Sequence, residues 1–319
     1  MRILVVGAGA LGGYFGGRLK EAGRDVTFLV RPRRAEQLAK SGLTVRSPKG
    51  DIAISAPPTV LAEQLSTPFD LILLSCKAYD LQGAMDSFAP AVGANTAILP
   101  LLNGMKHLDL LGARFGGNAV LGGQCIISAT LDGEGRVLHL NDSHFVSFGE
   151  QNGAKSPRAV AIAEAFSGAK FDSQLSTAIL HEMWEKWAFI AAAAGICCLM
   201  RGTFGDIAAA GASQLASDMF TECCAIAAKN GFKPGETAVK RSVGMLTAAG
   251  SPIAASMLRD IERGAPIEAD HIIGDLLARG SARPVDYPLL QIAYAHLRTY
   301  EARRQREKTA RRRASGSRH

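Results

Sequence analysis

The chain has 319 residues, of which 47% are hydrophobic and 20% charged, with a formal net charge of +7. Its length admits two domains, and its composition is that of an ordinary globular protein. Residues 301–319 hold eight Lys or Arg and two Glu, so the other 300 residues carry only about +1, which excludes a basic folded body.

The first element is a buried strand, Arg2 to Val6, followed by Gly7-Ala8-Gly9-Ala10-Leu11-Gly12. A helical stripe of Leu11, Phe15 and Leu19 comes next. Strand, GxGxxG and helix in that order predict dinucleotide binding. Gly7 makes the tight turn, Gly9 lets the backbone approach a pyrophosphate, and Gly12 packs the helix against the sheet. The N–H groups at the helix start, Ala10 and Leu11, face the pyrophosphate. The second strand, Asp25 to Val30, ends in Arg31-Pro32-Arg33-Arg34 with no carboxylate. An NAD site places Asp or Glu there, whereas arginine offers planar paired donors to a phosphate. The cofactor expected is therefore NADPH/NADP+, with Arg31 first and Arg33 or Arg34 in support. A solvated basic loop is the alternative.

The pattern continues with a short helix over Ala35–Lys40, strands over Leu43–Arg46 and Ile52–Ala56, a buried strand at Asp70–Ser75 and a return helix over Tyr79–Phe88. A further buried strand, Ala97–Leu102, ends at Asn103-Gly104. Strands are predicted at Val120–Leu121, Cys125–Leu131, Arg136–Leu140 and Phe145–Phe148, a helix at Pro157–Phe166 and a last strand at Lys170–Asp172. From about Leu175 helical periods run alone: Leu180–Cys198, Ser213–Asn230, Glu236–Ala248, Ser256–Arg263, Glu268–Ala278 and Pro288–Arg303. The fold expected is an α/β N-terminal Rossmann domain with a doubly wound, mainly parallel sheet, residues 1–174. An all-α C-terminal domain, residues 175–303, follows. Residues 304–319 are expected to be a basic, disordered tail. A solvated extension outweighs a nucleic-acid or acidic-lipid arm there, because no aromatic residue interleaves the arginines. Neither a nucleic acid nor a membrane is expected as a partner.

None of the six cysteines is spaced as CxxC. They are expected to be reduced thiols, with no metal site, in a cytoplasmic protein. The first strand starts at Arg2, so no secretory signal is expected ahead of it. The apolar run from Ala188 to Met200 is short for a membrane span and reads as a buried helix.

Three features fall where a cleft between the domains is expected. Lys77 and Asn103 each follow a strand's carboxyl end, where open parallel sheets bind ligands. Lys77 reads equally as an exposed helix-start lysine, and Asn103 equally as a turn residue. Lys186 is the last charge before fourteen residues without one. Partial desolvation there favours proton donation near neutral pH, while snorkelling to solvent is the plainer reading.

Taken together, GAGALG at Gly7–Gly12, Arg31, Lys77, Asn103-Gly104-Met105, Glu182-Met183-Trp184-Glu185-Lys186, Ala255–Ile261 and Ile267–Asp270 resemble the ketopantoate (2-dehydropantoate) reductases. The resemblance spans Met1 to Arg303. It implies reduction of a 2-oxo acid by NADPH, ketopantoate to pantoate in pantothenate biosynthesis. Lys186 is then the general acid and Glu268 its substrate-orienting partner. Ser256 binds the substrate carboxylate, Asn103 the substrate or nicotinamide, and Lys77 the cofactor side. Family members that reduce ketopantoate carry asparagines four and eight residues after the lysine; here those positions are Ile190 and Ala194. The alternatives are a more apolar 2-oxo acid or ketone, or an NADP(H)-binding regulatory protein without turnover. The long apolar helices leave a homodimer open.

Overall fold

The computed structural model describes residues 1–280 and 283–316, with only the backbone of Pro284 and of 311–316. The chain forms two compact units, Met1–Met183 and Trp184–His319. The division thus falls inside a helix, nine residues after the 174/175 boundary read from the loss of strand patterns.

The first unit runs β1 (Arg2–Val6), α1 (Ala10–Glu21), β2 (Asp25–Leu29), α2 (Pro32–Ser41), β3 (Leu43–Arg46), β4 (Ile52–Ile54), β5 (Thr59–Val60), β6 (Leu71–Leu74), α3 (Leu81–Phe88), β7 (Ala97–Pro100), α4 (Lys106–Phe115), β8 (Gly122–Leu131), β9 (Val137–Gly149), α5 (Pro157–Phe166) and β10 (Asp172–Leu175). Five strands form an all-parallel sheet in the order β5-β2-β1-β6-β7. Strands β1, β6 and β7 are buried on both faces, which explains their nearly unbroken apolar runs. A second, mixed sheet has the order β10-β9-β3-β4, with β8 paired antiparallel to β9.

Helix α1 lies between the two sheets. A Cβ on Gly16 would press on the Phe28 ring of the first sheet at 2.6 Å, and one on Gly13 would press on Val137 of the second at 2.8 Å. Glycine on both flanks lets both sheets approach the helix backbone. Around it pack Tyr14, Phe15, Leu19, Phe28, Leu43, Val45, Val137 and Phe148, all nearly inaccessible. Arg18, on the same helix, is also buried. It donates to the Lys49 and Gly50 carbonyls at 3.3 and 2.6 Å and pairs with Glu21 at 3.2 Å.

The second unit is helical: the greater part of α6 (Ile179–Met200), then α7 (Phe204–Ala209), α8 (Ser213–Lys229), α9 (Glu236–Leu246), α10 (Ser256–Glu262), α11 (Asp275–Gly280) and α12 (Pro288–Gly316). A π turn, Asp270–Gly274, leads into α11, so the helix expected over Glu268–Ala278 is two pieces of different pitch. The apolar run after Ala188 belongs to a 22-residue helix that is long and apolar enough to cross a membrane. Residues 191–198 are all buried within the protein, and α6 packs as a core helix.

Several elements differ from expectation. The two strands expected at 136–140 and 145–148 are one, β9, continuous with its antiparallel partner β8 apart from a bulge between Ile127 and Ala129. The last strand lies at Asp172–Leu175, not Lys170–Asp172; Lys170 instead has φ +50 at the turn before it. Helices α4 and α7 occupy stretches to which the sequence assigned no element. The tail expected to be disordered is helical through Gly316, while residues 317–319 lie outside the described residues. Ala, Arg, Gln, Glu and Lys favour helix strongly. The ion pairs Arg303–Glu307 and Arg304–Glu301, at 2.7 and 3.5 Å, add to that preference.

Candidate active site

In the parallel sheet, β1 sits where the strand order reverses, with β2 on one side and β6 on the other. Ligands of open α/β sheets bind outside the carboxyl ends at this point. There Gly7 has φ +90, a conformation natural only to glycine, and its N–H donates to the Leu29 carbonyl at 2.9 Å. No atom lies within 4 Å of where a Cβ on Gly7 or Gly9 would stand, so the loop is open to close approach. Gly9 caps α1 without a side-chain hydrogen bond, leaving the helix's leading N–H groups at Ala10 and Leu11 to an anion. Gly12 is the opposite case: a Cβ would collide with the Gly7 carbonyl and with Ser75 Oγ. That hydroxyl donates to the Val6 carbonyl at 3.1 Å.

The three arginines after β2 have different surroundings. Arg31, at the start of α2, donates to Asp80 Oδ1 at 2.8 Å, and that carboxylate raises its pKa. Both side chains are solvent-accessible, 78% and 38%, so the pair is weak and easily exchanged for another anion. Arg33 is exposed. Arg34 turns back under the glycine loop. Its Nε donates to the Ala8 carbonyl at 3.0 Å and its Nη1 to Gln37 at 2.6 Å. Its Nη2 is buried without a hydrogen-bond partner, and burial lowers its pKa. A buried donor left unmatched beside an open glycine loop, with no carboxylate at the end of β2, fits a phosphate-bearing dinucleotide.

Asp80 belongs to a tight turn, Ala78–Asp80, that Lys77 begins, and so Arg31 meets the loop following β6. Lys77 is half-buried. Asn103, also half-buried, follows β7, the neighbour of β6, and Gly104 with φ +81 turns the chain into α4. Lys77 and Asn103 therefore follow the carboxyl ends of adjacent parallel strands.

Along α6, Glu182 accepts from Ser147 and Ser176, each at 2.5 Å, and from Gln124 at 3.4 Å. This carboxylate fixes the start of the helix on β8 and β9. Sequence reasoning gave it no role, although it stands one turn ahead of Lys186. Lys186 is half-buried, and its sequence neighbours Trp184 and Trp187 are 2% and 0% exposed. Its neighbour Glu185 accepts from the Gly235 N–H at 2.8 Å. Ile190 is half-buried and Ala194 buried, one and two turns further along the same face.

Glu268 is half-buried and stands two residues before the π turn, a helical irregularity frequent at functional sites. Helix α12 holds its segment at four places. Arg304 donates to the Gly264 carbonyl (2.9 Å) and Tyr300 to that of Ala265 (2.8 Å), while Glu301 accepts from the Ile267 N–H (2.7 Å). Tyr294 and Arg298 both donate to Asp270. Within the π turn, the Ile272 carbonyl accepts from Trp187 Nε1 at 2.8 Å. The elements bearing Lys186 and Glu268 are thereby bonded to each other. Ser256 is exposed and is the first residue of α10; the helix is capped by Ala255. The six cysteines are free thiols, with burial pushing Cys197 up to about 11 and Cys198 up to about 12.

Two family models match. One, described as ketopantoate reductase PanE/ApbA, covers residues 3–153, and its companion, ketopantoate reductase PanE/ApbA C terminal, covers residues 178–301. Among curated proteins, "Uncharacterized oxidoreductase YkpB" of Bacillus subtilis is 39% identical over 303 residues, 95% of this chain and 99% of its own. A 2-dehydropantoate 2-reductase of Mesorhizobium japonicum is 29% identical over 90% of this chain and 93% of its own. Among solved structures, the 2-dehydropantoate 2-reductase from Methylococcus capsulatus superposes with a TM-score of 0.84 at 28% identity. That match covers 95% of this chain and 98% of the other.

Proposed function

This chain belongs to the ketopantoate reductase family of oxidoreductases acting on a C=O/CH–OH pair, and from that premise we propose that it reduces a 2-oxo acid to the 2-hydroxy acid with NADPH. Ketopantoate is the leading substrate and pantothenate synthesis in the cytoplasm the setting. The observation that carries this reading furthest is the bond from Trp187 to Ile272, which links the helix of Lys186 to the segment of Glu268.

When bound, NADPH supplies a hydride to the keto carbon. As that C–H bond forms, the carbonyl π pair moves to oxygen, and Lys186 transfers an ammonium proton to it, giving the alcohol. The positive charge of Lys186 counts most in the transition state, where the alkoxide charge develops. Glu268 accepts a hydrogen bond from a substrate hydroxyl, and Ser256 donates to the carboxylate. Asn103 orients the substrate or the carboxamide, and Lys77 serves the cofactor side. Gly7, Gly9, Ala10, Leu11 and Gly12 accommodate the pyrophosphate, and Arg31, supported by Arg34, the ribose phosphate.

A second reading rests on Ile190 and Ala194. An apolar lining one and two turns beyond Lys186 gives up the hydrogen bonds by which a polar substrate is selected, and favours a more apolar 2-oxo acid or ketone. The deciding experiment follows NADPH absorbance with ketopantoate beside a panel of apolar oxo acids and ketones. High kcat/KM for ketopantoate supports the first reading, and fast turnover of an apolar compound alone supports the second. Turnover of none defeats both.

A further inference from the structure

Helix α6 ends in a turn of the Schellman type: the Gly202 N–H reaches back to the Cys197 carbonyl at 3.3 Å, and the residue before it is left-handed. Glycine takes that position without steric conflict. Here it is Arg201, with φ +59. The arginine lines a cavity of about 910 Å³ made by the end of α10 and the Tyr300–Lys308 stretch of α12. Arg263, Arg303, Arg304 and Lys308 line it too, against two carboxylates, Glu262 and Glu307. Glu307 is engaged by Arg303 at 2.7 Å, and Tyr300 closes one wall, its hydroxyl bonded to the Ala265 carbonyl. With Glu301, which pairs with Arg304 at 3.5 Å, five cations meet three carboxylates around one concavity, an excess of two positive charges.

We propose that this cavity is a binding site for a small, multiply charged phosphate-bearing molecule. Guanidinium forks match phosphate oxygens in pairs, and a concave wall of one sign concentrates the field on an anion. The volume exceeds what a lone phosphate fills and falls within the range of sites for nucleotide-sized ligands. A left-handed arginine where the turn favours glycine keeps one of those forks at the wall in spite of the backbone. The site lies wholly in the second unit, and none of its residues serves the proposed reduction. It therefore stands or falls separately from that reading.

The test is calorimetric titration of the full chain with inorganic pyrophosphate at low salt. The glycine loop can also take up pyrophosphate, so the wild type is compared with an Arg201→Gly/Lys308→Gln double variant and with Arg31→Glu. Arg201→Gly gives the turn its preferred residue, so the double variant should fold with an unchanged or higher Tm. The expected result is a class of sites weakened at least tenfold in the double variant and retained in Arg31→Glu. Identical titrations in wild type and double variant overturn the proposal. So does a chain that ignores pyrophosphate but binds a DNA duplex through these same residues.

Discussion

Trp187 Nε1 donates a 2.8 Å hydrogen bond to the carbonyl of Ile272, one residue beyond Lys186 and four beyond Glu268. Trp187 is inaccessible to solvent and Ile272 nearly so, so neither group has water to fall back on. Trp187→Phe keeps the packing and removes the donor. Loss of this hydrogen bond should cost about 0.5–1.5 kcal/mol in urea denaturation. If the bond also sets the register of Glu268, kcat/KM for the oxo acid falls while NADPH affinity holds. A stability loss with wild-type kinetics would make the bond structural only.

Lys186→Ala should lower kcat by about 10²–10⁴, the span of general acid catalysis, and leave the NADPH Kd from fluorescence titration within about twofold. Unchanged turnover would remove Lys186 from the reaction.

Arg31→Ala should raise the KM for NADPH about tenfold or more, as loss of a charge-assisted bond to phosphate predicts. The KM for NADH should hardly move. Equal effects on both cofactors would reassign Arg31 to its exposed pair with Asp80.

Gly12→Ala places a methyl group against the Gly7 carbonyl and Ser75 Oγ. Overpacking of this kind should destabilise by about 1–3 kcal/mol and weaken dinucleotide binding with it. Gly9→Ala, with open space around it, should leave the Tm unchanged and affect binding alone. Thermal melts with and without NADPH separate the two.

His144 shares a 2.8 Å hydrogen bond with Tyr14 and stacks on His139. Burial first, and then His139, Lys49 and Arg18, lower its pKa, while Asp172 acts the other way. Below the ordinary histidine range of about 6.5 the unfolded chain takes up a proton there more readily than the folded one. Stability should therefore fall as pH drops through that range. Urea midpoints at pH 5 and 7.5 should differ less in His144→Gln than in the wild type; an equal difference would place the pH dependence elsewhere.

The parallel strands and the glycine loop were readable because strands buried on both faces leave unbroken apolar runs, and each glycine answers a local steric demand. Helix α4 was missed because it opens directly after the Asn103-Gly104 turn and carries Gly112, both of which look like loop. Strand β9 looked like two because Asn141 to Ser143 in its middle are polar and accessible. The π turn after Glu268 keeps a helical spacing in sequence and shows only in three dimensions. The charge of the last sixteen residues suggested disorder, but the same residue types are strong helix formers, and the first of them, Arg304, donates to the Gly264 carbonyl. Glu182 was legible one turn ahead of Lys186, but its partners come from three distant places, Gln124, Ser147 and Ser176, which no local pattern reveals.

The glycine flanks of α1 set the order in which the first unit can be completed. One flank rests on Phe28 and Val5, present within the first thirty residues; the other rests on Leu43, Val45, Ile52 and Val137. A nascent chain that ends short of β9 has Leu43, Val45 and Ile52 but lacks Val137, and so leaves the Gly13 part of that second flank uncovered. The first unit is thus not severable at the end of its parallel sheet: a fragment stopping near Val120 should be sticky and protease-sensitive, and one reaching Leu175 should not.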